Sequence, residues 1–175
     1  LMDEFRDGHS YEFSLEMNQI YSKLNSYDLK HNYKKYNRPY RIDDFNPNIV
    51  ETNSYYLNIN LDRAFYTFDN DDYVITVGRQ QIAFGSARVT NPTDIFTPLS
   101  FTIIDRETRS GIDAIRIKRS LGEMRQIDIG IVPGVDSSRL VAYTQLTLPL
   151  ANFEIKPMLS YFNKSTMIGL DLTTD

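Results

Sequence analysis

An all-β fold, an antiparallel sheet rolled into a transmembrane barrel, is what this sequence predicts, on three observations. Apolar and polar residues alternate one by one over segment after segment. The polar positions of those segments carry carboxylates, amides and cations. The connections between segments tend to alternate between short and long. A strand turns successive side chains to opposite faces, so strict alternation means one face in an apolar medium and one in a polar medium. Outer-membrane barrels combine that pattern with short turns on one side and long loops on the other.

Eight strands are predicted in order. The first, 10–21, sets Tyr11, Phe13, Leu15 and Met17 against Glu12, Ser14, Glu16 and Asn18. The second, 54–66, sets Tyr55, Leu57, Ile59 and Leu61 against Asn58, Asn60 and Asp62. In the third, 72–84, Tyr73, Ile75 and Val77 oppose Thr76, Gly78 and Gln80, and the alternation slips after Gly78, which predicts a bulge there. The fourth, 111–119, alternates Ile115 and Ile117 with Arg116 and Lys118. The fifth, 125–132, alternates Ile127, Ile129 and Ile131 with Gln126, Asp128 and Gly130. The sixth, 139–149, sets Leu140, Ala142, Leu146 and Leu148 against Tyr143, Gln145 and Thr147. The seventh, 152–163, sets Phe153, Ile155, Leu159 and Tyr161 against Glu154, Lys156 and Ser160, and Pro157 weakens it. The eighth begins near Met167 and amounts to 169–173. Long loops are expected over 22–53 and 86–110, and short turns at 68–71, 121–124 and 150–151. The expectation is therefore one barrel domain over 1–175, the N-terminal portion of a larger barrel, incomplete at its C-terminus.

Composition narrows the function. The chain has no Cys, which removes disulfide frameworks and cysteine metal sites, and its net charge of −4 gives no general attraction for nucleic acid. No apolar run approaches the roughly 18 residues of a membrane helix, whereas a barrel strand needs only about 9–11. The mean hydropathy of −0.40 suits a polar lumen and polar loops. Tyr11 and Tyr21 bracket the first strand, and Tyr55 and Phe65 the second, as aromatic girdles would. His9 and His31 are far apart and unsupported, so no metal is expected, and no Ser/His or glycine-rich phosphate motif points to an enzyme or a cofactor. The run Asp69-Asn70-Asp71-Asp72 lacks the central Gly and late Glu of a calcium loop and reads as a charged turn.

The candidate pore-lining set is Glu12, Glu16, Asn58, Asn60, Asp62, Thr76, Gln80, Arg116, Lys118, Gln126, Asp128, Gln145, Glu154 and Lys156. Acids lead on the first two strands and bases on the fourth, so opposed charge rows would set a transverse field across a lumen. The plainer reading is a hydrated wall whose charges pair across strands. The loop 86–110 holds Arg88, Asn91, Asp94, Asp105, Arg106, Glu107 and Arg109 among apolar residues and two prolines, a candidate constriction loop. The first long loop, with Lys30, Lys34, Lys35, Arg38 and Arg41 interleaved with Tyr33, Tyr36 and Tyr40, reads as a solvated loop or as a contact for anionic lipopolysaccharide.

One stretch also resembles a family. Within 72–118 stand Val77-Gly78-Arg79-Gln80-Gln81-Ile82-Ala83-Phe84-Gly85, then Asn91-Pro92-Thr93-Asp94-Ile95-Phe96-Thr97-Pro98, Ile104-Asp105-Arg106-Glu107 and Gly111-Ile112-Asp113-Ala114-Ile115-Arg116. This resembles the porin-like outer-membrane barrels of Gram-negative bacteria, and among them the alginate-export-type and related uncharacterised barrels. Phe84 stands where those relatives often carry Trp. The resemblance implies a passive diffusion channel for small hydrophilic or charged solutes, embedded in outer-membrane lipid and lipopolysaccharide; the acidic net charge speaks against a nucleic-acid partner, and an oligomer is left open. The alternatives are a non-conducting scaffold or sheath barrel and a soluble all-β carbohydrate-binding domain.

Overall fold

The computed structural model describes residues 2–5, 8–21, 40–43, 45, 47–52, 55–85, 93–96, 110–135, 139–162 and 164–174. They form one antiparallel sheet, and the chain is all-β. The strands are β1 (Met2–Phe5), β2 (His9–Tyr21), β3 (Asn48–Glu51), β4 (Tyr55–Asp69), β5 (Tyr73–Gln80), β6 (Ile112–Ser120), β7 (Gln126–Val132), β8 (Val141–Leu150), β9 (Phe153–Phe162) and β10 (Ser165–Thr174). Their order is β1-β2-β4-β5-β6-β7-β8-β9-β10, with β3 paired to β4 off this path. Each strand of the path therefore pairs with its neighbour in sequence apart from that excursion. The sheet is open, because β1 and β10 end the path and do not pair.

Short turns gather at one end, except that the two-residue connection from β9 to β10 lies at the other. Asn70 closes the β4–β5 turn, its Oδ1 accepting from the backbone N–H of Asp72 and Tyr73 at 3.1 and 2.9 Å. The run of acids is thus an Asx turn. Ala151 and Asn152 alone link β8 to β9, with Ala151 in the left-handed region at φ 54°. The opposite end carries the long connections, from β2 to β3 and from β5 to β6.

Three expectations change. The loop predicted over 22–53 contains a strand: β3 pairs with the upper half of β4, and Leu61 and Ile59 donate to the carbonyls of Phe45 and Pro47 at 3.1 and 3.3 Å. β5 reaches no further along β4 than Ala64, so 45–51 occupies the edge that β5 leaves open. The bulge expected after Gly78 is absent, since β5 keeps register with β6 through Arg79 and Gln80. It lies in β4, where Ser14 pairs with Arg63 and Leu15 with Leu61, leaving Asp62 as the extra residue. A bulge reverses the faces beyond it, so Arg63, Phe65 and Thr67 turn to the side of Asn58 and Asn60. Phe65 pairs with Glu12 and Gly78 on that side and leaves the expected girdle. The last strand runs ten residues, not five. Pro157 sits inside β9 without ending it; the β8–β9 ladder has a gap between Gln145–Met158 and Leu148–Ile155, where its missing N–H falls.

The two faces of the sheet have inverted polarity. One face is covered, by the fold of the sheet and by the buried residues Tyr40, Arg41, Ile82, Phe84 and 93–96. Its buried members include Asn58, Asn60, Gln80, Asp128 and Ser160. The other face is open and apolar over the middle of the strands, with Met17 67 % exposed, Ile115 51 %, Ile131 50 % and Leu170 59 %; Arg79, Asp113 and Arg119 stand on it near the ends of β5 and β6.

Candidate functional site

The register places the predicted pore-lining residues on the covered face. Glu12 pairs with Phe65 and Glu16 with Asn60; Phe65 pairs with Gly78, the neighbour on that face of Thr76 and Gln80. Lys118 pairs with Asp128, Asp128 with Gln145, and Gln145 with Met158, which alternates with Glu154 and Lys156 in β9. Arg116 and Gln126 follow by alternation within β6 and β7. Asp62, at the bulge, turns to the same network.

The charges on this face neutralise one another locally. Arg116 binds Asp128 in a bidentate fork, Nε to Oδ1 at 3.0 Å and Nη2 to Oδ2 at 2.5 Å. Tyr143 donates its hydroxyl to Asp128 Oδ1 at 3.2 Å. Its ring reaches there because its cross-strand partner is Gly130, where a Cβ would stand 2.3 Å from Tyr143 Cε1. Arg63 donates to Glu12 and to Gln81, each at 3.0 Å, and Lys156 pairs with Glu154 at 2.6 Å. The ion pairs among these residues are local ones. Arg116–Asp128 and Arg63–Glu12 pair across neighbouring strands and Lys156–Glu154 within β9, so half-buried charges are matched at short range.

A second network ties the long-loop end together. Arg41, with a fully buried side chain, donates Nε to Gly111 O at 2.8 Å, Nη1 to Asn60 Oδ1 at 2.7 Å and Nη2 to Asp62 Oδ1 at 3.4 Å. Asn60 in turn donates to Glu16 at 2.8 Å, and Asp62 accepts from the Gly111 N–H at 3.1 Å. Arg79 forks onto Asp113 at 2.8 and 3.0 Å and donates to the carbonyls of Leu61 and Asp43. Asp113 also accepts from the Ile42 N–H at 2.7 Å. Two residues of the resembling motif, Arg79 and Asp113, thus fasten 42–43 to the sheet. Tyr40 and Arg41 are buried, against the expectation of a solvated basic loop; the other residues of that run, 30–39, lie outside the described residues.

An aromatic cluster lies over the covered face at the same end. Phe84 meets Tyr143 edge-on at 4.7 Å between centroids, Phe96 meets Phe84 at 5.6 Å, Tyr143 at 6.0 Å and Tyr40 at 5.3 Å. Ile82, Ile95, Ile112, Val132, Val141 and Met158 complete it. Burial pushes the Tyr40 phenol above its ordinary pKa, and the nearby Arg139 partly offsets this. Of the candidate constriction loop, Asp94 is described and buried in this cluster's margin; Arg88, Asn91, Asp105, Arg106, Glu107 and Arg109 lie outside the described residues.

Sequence reasoning missed Arg63 and read Arg41 only as part of a surface loop. The signal for Arg63 is present, because the apolar phase changes from odd positions through Leu61 to even positions at Ala64, Tyr66 and Phe68. Arg41 carries no periodic signal, and its burial comes from tertiary contacts alone. Among the described residues no group of three or more His, Asp or Glu is placed to hold a metal ion. Compared with known protein families, curated proteins and solved structures, the chain matches none.

Proposed function

We propose that this sheet is the wall of an outer-membrane β-barrel of a Gram-negative bacterium, and that it serves passive diffusion of small hydrophilic or charged solutes. The observation that carries the reading is the inverted polarity. Burying a Leu or Ile side chain is worth roughly 1.5–3 kcal/mol, so an aqueous domain gains by turning such residues inward. Here the outward face keeps Phe13, Leu15, Met17, Ile115, Ile117, Ile129, Ile131, Leu159, Ile168, Leu170 and Leu172 exposed, while Asn, Arg, Asp and Gln are buried. Hydrocarbon around the sheet removes the contradiction. The reverse orientation would set Arg116 and Lys118 into lipid at about 2–4 kcal/mol each near the midplane. Strands of ten residues, at about 3.3 Å per residue and tilted by about 45°, span roughly 23 Å, close to the apolar band of such barrels. Likeness to alginate-export-type barrels in 72–118 agrees with the reading.

Single-channel current from the intact, detergent-purified gene product in a planar bilayer tests it. Discrete conductance steps are expected. A protein that stays in aqueous solution without detergent and never inserts would contradict the membrane reading. A second reading, a plugged or scaffolding barrel, is favoured by one observation: the cluster around Phe96 covers the polar face at the long-loop end. Such a barrel would insert and stay silent.

A further inference from the structure

Segment 93–96 enters the covered side of the sheet between β5 and β6 and packs as far away as β10. All four of its residues are buried. Two observations fix where it sits. The first is a tight turn, in which Ile95 N–H donates to Thr93 O at 3.0 Å, so that Thr93 and Phe96 project to different neighbours. The second is a notch in the wall. Gly169 is the one glycine of β10, and it faces the covered side, opposite Met158. A Cβ there would stand 2.7 Å from Thr93 Cγ2 and 3.8 Å from Thr93 Cβ. The methyl of Thr93 occupies the space that any other residue at 169 would fill. Phe96 meanwhile lies among Tyr40, Phe84 and Tyr143, and the ring of Tyr143 lies flat enough to receive it because Gly130 has no side chain.

We infer that 93–96 is a fixed narrowing element of the solute path, and that Gly169 and Gly130 are the positions that seat it on the wall. The inference rests on the channel reading. It goes beyond an inward loop in assigning the resting position: Thr93 in the Gly169 notch and Phe96 in the aromatic cluster. Interiors packed in this way have one arrangement and yield little, so the element sets a constant limiting width. Gly169 and Gly130 are positioning residues; they act through Thr93 and Tyr143 and meet no solute.

The chain contains no cysteine, so a pair can be introduced cleanly. The separation of 3.8 Å between the Cβ positions at 93 and 169 matches the usual Cβ–Cβ distance across a disulfide, about 3.8 Å. The experiment takes the intact gene product in planar bilayers, as wild type, as Thr93→Cys/Gly169→Cys oxidised and reduced, as Phe96→Ala and as Gly169→Val. Unitary conductance and the size of the largest polyethylene glycol that enters the path are measured. The double variant is expected to cross-link and, oxidised, to keep the wild-type conductance and size limit. Phe96→Ala and Gly169→Val are expected to raise the unitary conductance by roughly twofold and to admit larger polymers. Failure to cross-link, or a changed conductance in the oxidised form, would overturn the assigned seat. Conducting Phe96→Ala with unaltered steps and size limit would overturn the narrowing role while leaving the channel reading intact. Silence of every inserted form would overturn both.

Discussion

Asp128 shows what a single buried carboxylate asks of its neighbours. It accepts from Arg116 through a bidentate fork and from the Tyr143 hydroxyl, and it is 5 % exposed. Removing it leaves a cation and a hydroxyl without their acceptor, which in a buried setting costs about 3 kcal/mol or more. Asp128→Ala should therefore lower the urea midpoint of the folded protein in detergent, and Asp128→Asn, which keeps an acceptor, should lower it less. Gly130→Val should act on the same group by another route, because a Cβ already meets the Tyr143 ring. Tyr40 makes a pH prediction. Burial raises its pKa, so the neutral phenol favours the fold. That contribution is complete below the ordinary tyrosine value of about 10 and is lost as pH climbs through the raised value. Tyr40→Phe has no such proton to lose, and its packing at the long-loop end should survive to higher pH, read by near-ultraviolet circular dichroism. These residues also mark the limit of the sequence reading. Asp128 and Arg116 fell on the right face from alternation alone. Their pairing with each other, and the reach of Tyr143 over Gly130, depend on which strands are neighbours and in what register.

At the scale of elements, alternation was sufficient wherever a strand runs straight. It located β2 and β5 to β9 within a few residues, because one-residue slips exchange whole faces and the pattern must hold for the length of the strand. β4 is the exception that the bulge explains. Reading odd positions as outward past Leu61 assigned Phe65 to the wrong side, although Ala64, Tyr66 and Phe68 carry the phase change. The bulge makes a specific prediction. In proteoliposomes, Phe65→Cys and Thr67→Cys should react with a membrane-impermeant maleimide, while Ala64→Cys and Tyr66→Cys should be protected. Equal reactivity along 64–67 would mean a strand with no lipid side. β3 escaped notice for a different reason. Its four residues, Asn48–Glu51, are too few to show a period, and the edge that it fills exists only because β5 stops at Gln80.

Across the whole molecule, polarity rather than topology carries the functional account. An open antiparallel sheet with neighbours in sequence order serves soluble and membrane proteins alike. The proposed membrane reading rests on the covered face holding Arg41, Asn60 and Asp128, while Met17, Ile115 and Leu170 stand outside. The sequence made this inversion legible in strands such as β2 and β9, where Glu12 and Glu16, or Glu154 and Lys156, stand on one side and apolar residues on the other. The cluster of Tyr40, Phe84, Phe96 and Tyr143 was not legible, since three of its members stand outside the regular strands, where no period marks them. The most direct test of the central claim attaches an environment-sensitive fluorophore at single cysteines in proteoliposomes. The positions are Ile117, Ile129 and Leu159 on one face and Lys118, Gln126 and Lys156 on the other. Each is quenched in turn by a lipid-borne nitroxide and by aqueous iodide. The account predicts lipid quenching at the first three and iodide quenching at the second three. Iodide quenching at Ile117, Ile129 and Leu159 would contradict it, because the apolar face would then be in water.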